Sequence, residues 1–128
     1  MIDIKIILLS DIPETLLCQA AKEHVTIAKD KTQIIWGAYT EGMLIGFSSL
    51  VLFKHNRYGL LKSAYVVQEY RRKGVYRALN MARLEYAKSL GLPHVLTSAY
   101  FEAAEHLLKI GGIIEKQYNE GYKIKITL

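Results

Sequence analysis

Hydrophobic and polar positions along the chain change period several times, and each change marks an element. Residues Ile2 to Leu9 mix β-branched and apolar side chains with Asp3 and Lys5 at alternate places, the period of a half-buried strand. Asp11, Pro13 and Glu14 follow as a helix start, with a short acceptor for free amides, a proline in the first turn and an acid three residues after the cap. Leu17, Ala20 or Ala21, His24 and Ala28 recur at helical spacing, which predicts a helix to about Lys29. Gln33 to Thr40 and Met43 to Phe53 are rich in Ile, Trp, Tyr, Leu and Val. They flank Glu41-Gly42, a hairpin signal that predicts an antiparallel pair.

The second half reads in the same way. His55 to Gly59 is polar and ends in glycine, and Leu60 to Val67 is again β-rich, so a second hairpin is expected. Val75, Leu79, Ala82, Tyr86 and Leu90 mark one face of a helix that Gly91 stops, with Pro93 just beyond. On that reading Arg83 and Lys88 belong to the helix's solvated face. His94 to Ala99 predicts a strand and Phe101 to Ile110 a helix ended by Gly111-Gly112. Ile113 to Tyr118 and Tyr122 to Leu128 predict a final hairpin around Asn119-Glu120-Gly121. The order is β-α-β-β-β-α-β-α-β-β, with no internal repeat and no linker.

Composition narrows the class. The 128 residues are 51% hydrophobic and 23% charged, with 9 Gly and 2 Pro, the make-up of one folded domain over residues 1–128 rather than a disordered or fibrous chain. A chain of this size hides roughly two-thirds of its extended-state surface on folding, enough for one core. The apolar run Met43 to Phe53 is interrupted by Gly46, Ser48 and Ser49 and falls short of the roughly 20 residues of a membrane helix, so it reads as a buried strand. Cys18 is the single cysteine; with no internal disulfide open to it and no secretory-type opening, a reducing cytoplasmic location is expected. Set among Leu16, Leu17, Ala20 and Ala21, it reads as a small buried thiol. His24, His55 and His94 show no metal-ligand spacing, and no metal is expected. Trp36, Tyr39 and Phe47 read as core or as lining of a cleft.

Charge changes the picture more. Seventeen Lys and Arg against twelve Asp and Glu give +5, which favours an anionic partner. Arg71, Arg72, Lys73, Arg77 and Arg83 crowd into thirteen residues. There a strand ending Tyr65-Val66-Val67 passes through Gln68-Glu69-Tyr70 into Arg71-Arg72-Lys73-Gly74-Val75-Tyr76 and a helix start. A strand feeding a glycine-containing turn into a helix aims unpaired amides and the positive end of the helix dipole outward, an anion site suited to phosphate. Gly74 adds backbone freedom and close approach.

This segment resembles the cofactor motif of the GNAT superfamily of N-acetyltransferases, Arg/Gln-x-x-Gly-x-Gly/Ala after a Val-rich strand. Arg71 matches its first position and Gly74 its second, whereas Tyr76 stands where Gly or Ala is usual and Gln68 where proline is common. The order of elements from first strand to last hairpin also resembles the family. The resemblance implies an α/β (α+β) fold with a mixed, mostly antiparallel central sheet of about seven strands flanked by helices. It implies that acetyl-coenzyme A (acetyl-CoA) is the co-substrate. Main-chain groups of Val66 and Val67 would meet its pantetheine arm and thioester, amides from Arg71, Arg72, Lys73, Gly74, Val75 and Tyr76 would hold the pyrophosphate, and the side chains of Arg71, Arg72, Lys73 or Arg77 would reach other phosphates.

The reaction implied is direct attack of an amine on the thioester in a ternary complex. The tyrosine that often protonates the departing thiolate, four residues before the glycine ending the last helix, is Leu107 here. Tyr100, on the same helix face by its seven-residue spacing, and His106 are the candidates to stand in as catalytic groups. Glu69, Glu102 and Glu105 read as solvated or dipole-favoured acids. A single helix with the short link Asp30-Lys31-Thr32 before the second strand implies an open acceptor cleft suited to a peptide end, a lysine or a polyamine. A homodimer stays open, as does the alternative of a weakly active or inactive module binding CoA or another anionic partner. Nucleic acid is a third and weaker partner, since no basic-aromatic stripe accompanies the cluster.

Overall fold

The computed structural model describes residues 1–29, 32–53 and 57–128. Its elements, in chain order, are β1 (Asp3–Ile7), α1 (Glu14–Lys22), β2 (Gln33–Thr40), β3 (Met43–Phe53), β4 (Tyr58–Val66), α2 (Val75–Ser89), β5 (His94–Tyr100), α3 (Phe101–Lys109), β6 (Ile113–Gln117) and β7 (Gly121–Thr127). They form one seven-stranded sheet in the spatial order β1-β2-β3-β4-β5-β7-β6. Every neighbouring pair is antiparallel except β4 with β5. The mixed α/β sheet and the order of elements are those read from the periodicity and the family resemblance.

Period-two alternation gives the sheet two apolar faces. Ile35, Phe47 and Tyr65 point to one face, where Ile12, Leu16 and Ala20 of the α1 region cover them. Their neighbours Trp36, Ile45 and Val66 point to the other, against Val75 and Leu79 of α2 and Leu107 of α3. Trp36 packs edge-on against Tyr86 at 5.4 Å between ring centroids.

The structure corrects four local readings. Helix α1 stops at Lys22, not near Lys29. His24 takes φ +65°, its N–H bonds to Ala21 O, and the N–H of Val25 bonds back to Ala20 O. This is the closure that ends many helices, made here without the usual glycine. Asp11 does not cap that helix; its Oδ2 accepts from the Leu8 N–H at 2.8 Å, closing a short 3-10 turn, and Pro13 stands at the cap. Cys18 is exposed, because α1 turns only Leu16 and Ala20 fully inward. Strand β4 begins at Tyr58, before the expected Leu60. The predicted turn at 55–59 and link at 30–32 fall partly on residues 30, 31 and 54–56, outside the described residues. Among the described residues no helix is long and apolar enough to cross a membrane.

Candidate functional site

The site begins with a fork. Strands β4 and β5 pair only through Gly59 with Val95 and Leu60 with Leu96, and just beyond, Thr97 Oγ1 donates to Leu61 O at 3.0 Å. Past that bond the strands separate. The cause lies in β4, whose register with β3 slips between Phe47 and Ser49 and whose Ser63 takes φ +45°. An extra residue of this kind bends a strand and turns it off its neighbour. Ser63 Oγ donates to Thr26 O, tying the bulge to the segment after α1. The opening is a cleft of about 1030 Å³. Its walls include Ala64, Tyr76, Tyr100 and Leu107, and it reaches Thr26 and Val51.

At the mouth of the fork the chain makes the predicted turn. A 3-10 turn at Gln68–Tyr70 leads to Gly74, which caps α2 with φ +85°; Arg72 also sits in the left-handed region at φ +61°. Among the described residues the N–H groups of Arg72, Lys73, Gly74, Val75, Tyr76 and Arg77 meet no acceptor; the first helical bond runs from the Ala78 N–H to Gly74 O. A side chain at Gly74 would project into open space, with nothing within 4 Å of its Cβ. Six consecutive donors, three of them at the positive end of α2, are left without a protein acceptor. Arg72, Lys73 and Arg77 are exposed around them.

Arg71 is held elsewhere. Its Nη2 donates to both Glu23 oxygens at 2.8 Å and its Nε to Val66 O at 2.8 Å, while Tyr65 OH donates to the same Glu23 carboxylate at 2.8 Å. The Arg71 hydrogen bond, followed by that of Tyr65, holds the Glu23 carboxyl below the ordinary value of 4.5. Arg71 therefore braces α1 to the end of β4, and its side chain does not stand with the exposed cations.

Val66 and Val67 also divide. The Val67 N–H bonds to Ile45 O at 2.8 Å and Val67 O accepts from Tyr70. Val66, opposite Gly46 in a pair that shares no hydrogen bond, turns its own N–H and C=O away from β3 toward the fork. The carbonyl is taken by Arg71, leaving the Val66 N–H directed to the open side.

Tyr76 turns inward instead of blocking the turn, its ring edge-on to His106 at 5.6 Å. His106 Nε2 is buried without a partner. Burial, and then the charges of Arg77 and Lys109, hold its pKa below 6.5. Tyr100 closes β5 as the cap of α3 at ψ 157°, outside the helix, so it does not share a helix face with Leu107. It is 58% exposed and lines the cleft. Leu107 is buried in the cleft wall.

The largest departure from the sequence reading is Arg83, which is 2% exposed, not solvated. Its Nη1 donates to Ser49 O at 2.9 Å and to Lys62 O at 3.0 Å, and its Nη2 to Asn80 Oδ1. It thus holds the bulge from within and lines the cleft. Burial pushes the guanidinium down to about 10, still cationic at neutral pH. The signal for this cluster was present as Ser48 and Ser49 inside an apolar strand and Asn80 and Arg83 three apart on α2. Heptad-like reading of Val75, Leu79 and Ala82 passed over it.

A family model described as the acetyltransferase (GNAT) family matches residues 6–111. Among solved structures, one from Klebsiella pneumoniae, provisionally assigned as an acyl-CoA N-acyltransferase, is similar at TM-score 0.82 and 16% identity over 100% of this chain and 98% of that one. The PaiA N-acetyltransferase of Thermoplasma acidophilum in complex with coenzyme A gives 0.80 and 15% over 100% and 99%. The IAA acetyltransferase of Bacillus cereus gives 0.76 and 17% over 100% of both. A search of the curated proteins finds no match.

Proposed function

Because the chain belongs to the GNAT acetyltransferase family, we propose that it is an acetyl-CoA-dependent N-acetyltransferase, with residues 1–128 acting as one catalytic domain. The observation that carries this reading is the row of six acceptorless N–H groups from Arg72 to Arg77 at the mouth of the fork. Such a row fits a pyrophosphate, and the space above Gly74 lets it approach the main chain. Arg72, Lys73 and Arg77 add charge for the remaining phosphates. Solved relatives complexed with coenzyme A or acetyl-CoA support the same ligand.

In this reading the Val66 N–H meets the pantetheine arm or the thioester carbonyl inside the fork. Val67 contributes shape, since both its main-chain groups are bonded within the protein, and Arg71 holds the strand end. The amine nitrogen bonds to the acetyl carbon as the carbon–sulfur bond breaks. The proton shed by the nitrogen leaves through water, and the departing thiolate takes one from Tyr100, the candidate acid that reaches the cleft. His106, packed against Tyr76, serves the site from behind the wall.

A second reading has its own observation: Leu107 presents no proton to the cleft, as a CoA-binding module without transfer would. Calorimetric titration with acetyl-CoA, followed by a thiol-release assay over an amine panel, separates the two. The enzyme reading expects micromolar binding, thiol release with at least one amine, and a kcat lowered at least about a hundredfold by Tyr100→Phe, within the range a positioned acid supplies. Binding with no release favours the module, and no binding at moderate salt overturns both.

A further inference from the structure

Arg83 is a buried cation without a counter-ion. Among the described residues the ion pairs join Arg71 to Glu23, Lys109 to Glu105 and Lys123 to Glu115, and none reaches Arg83. Its three acceptors are the neutral oxygens of Ser49, Lys62 and Asn80. A guanidinium carries five N–H groups; the Nε–H has no partner, and Nη2 uses one of its two. Asn80, which accepts from Arg83 through Oδ1, has its own Nδ2 buried without a partner. Bracing the bulge needs donors, not charge, because all three acceptors are neutral. An unpaired charge in an interior is costly, and this one stands in the cleft wall, bonded to Lys62 O, next along β4 from the Leu61 carbonyl that marks the closed end of the fork.

We propose that the closed end of the cleft is a carboxylate subsite, in which Arg83, the buried cation of its wall, is the anchoring group. The subsite rests on the acyltransfer reading for its purpose but not for its chemistry. Two N–H groups of one guanidinium match the two oxygens of a carboxylate, and a lone cation with neutral neighbours balances a single negative charge. A polyamine would bring like charge against Arg83, so the acceptor class narrows away from it. The carboxylate has two sources: the far end of a dicarboxylic acyl group carried on the thioester, or the acceptor, as in an amino acid.

The test uses the full chain labelled with ¹⁵N in arginine and in the backbone, titrated with sodium succinate and, separately, putrescine at constant ionic strength. Burial should keep the Arg83 Nε–H visible. A saturable shift with succinate and none with putrescine is expected. Succinyl-CoA binding at least tenfold tighter than acetyl-CoA assigns the acyl source. Equal binding, with glutamate moving the resonance in CoA-saturated protein, assigns the acceptor. Asn80→Asp places a carboxylate beside Arg83, so it should fold and abolish the succinate response. No response of Arg83 to succinate, succinyl-CoA or glutamate overturns the subsite, as does succinate binding retained in Asn80→Asp. Acetyl-CoA binding is read at the Gly74 amide in the same samples, so a missing Gly74 response with an intact Arg83 response sinks the enzyme reading alone.

Discussion

Both carboxylate oxygens of Glu23 lie 2.8 Å from Nη2 of Arg71, joining the residue that follows α1 to the first residue of the turn that leads into α2. The two side chains are 39% and 44% exposed, so the pair is screened and its coupling is modest. A double-mutant cycle with Glu23→Gln and Arg71→Met should give about 0.5–1 kcal/mol by urea denaturation at low salt, shrinking as salt is added. The sign with pH follows from the depressed Glu23 pKa. The contribution is complete above the ordinary value of 4.5 and disappears as pH falls through the lower folded-state value. Coupling that persisted after Glu23 was protonated would contradict the pairing.

The Arg83 brace makes a larger claim on stability. Arg83→Met removes one donor each from Ser49 O, Lys62 O and Asn80 Oδ1, while the Ser49 hydroxyl stays on Lys62 O. Orphaned buried acceptors of this kind cost about 1–3 kcal/mol each, so the variant should lose about 2–4 kcal/mol in a urea titration. Arg83→Lys, which keeps donors and charge, should lose less. A loss under about 0.5 kcal/mol would show that the bulge stands without Arg83.

Most of the fold was legible in the sequence because its signals are local. Glu41-Gly42 turns a hairpin, Gly91 stops α2, and alternation in the β2 and β3 segments builds a two-faced sheet. The acceptorless turn at Gly74 was legible for the same reason. What escaped depends on distant partners. His24 ends α1 through a left-handed conformation that histidine rarely signals, and Arg71 is diverted by a glutamate 48 residues away. Arg83 sits one place off the apolar stripe, and only the strand bulge makes its burial worthwhile. Tyr76, standing where Gly or Ala is usual, finds His106 on another helix.

The burial of His106 sets a pH dependence. His106 is favoured neutral in the folded state by burial, with Arg77 and Lys109 adding repulsion to the charged form. Unfolded chains bind its proton more readily, so stability should fall as pH drops from above 6.5 toward the folded-state pKa and level off below it. Thermal denaturation between pH 8 and 5 should show this slope, and His106→Gln should flatten it. A slope unchanged in His106→Gln would place the titrating group elsewhere.

Gly74 separates backbone strain from ligand exclusion. At φ +85° an alanine costs about 1–2 kcal/mol in conformation, yet its Cβ meets nothing within 4 Å. Asparagine tolerates the left-handed region better. Gly74→Asn should therefore remain closer to wild-type stability than Gly74→Ala. Both should bind acetyl-CoA within about tenfold of wild type, because a short neutral side chain adds no like charge. Gly74→Glu carries the same strain as alanine and in addition sets a carboxylate where a pyrophosphate would lie. Its acetyl-CoA affinity should drop at least about a hundredfold, the equivalent of roughly 3 kcal/mol, while its unfolding midpoint stays near that of Gly74→Ala. Equal affinity for the Ala and Glu variants in calorimetry would mean that the row of amides from Arg72 to Arg77 does not receive the phosphates.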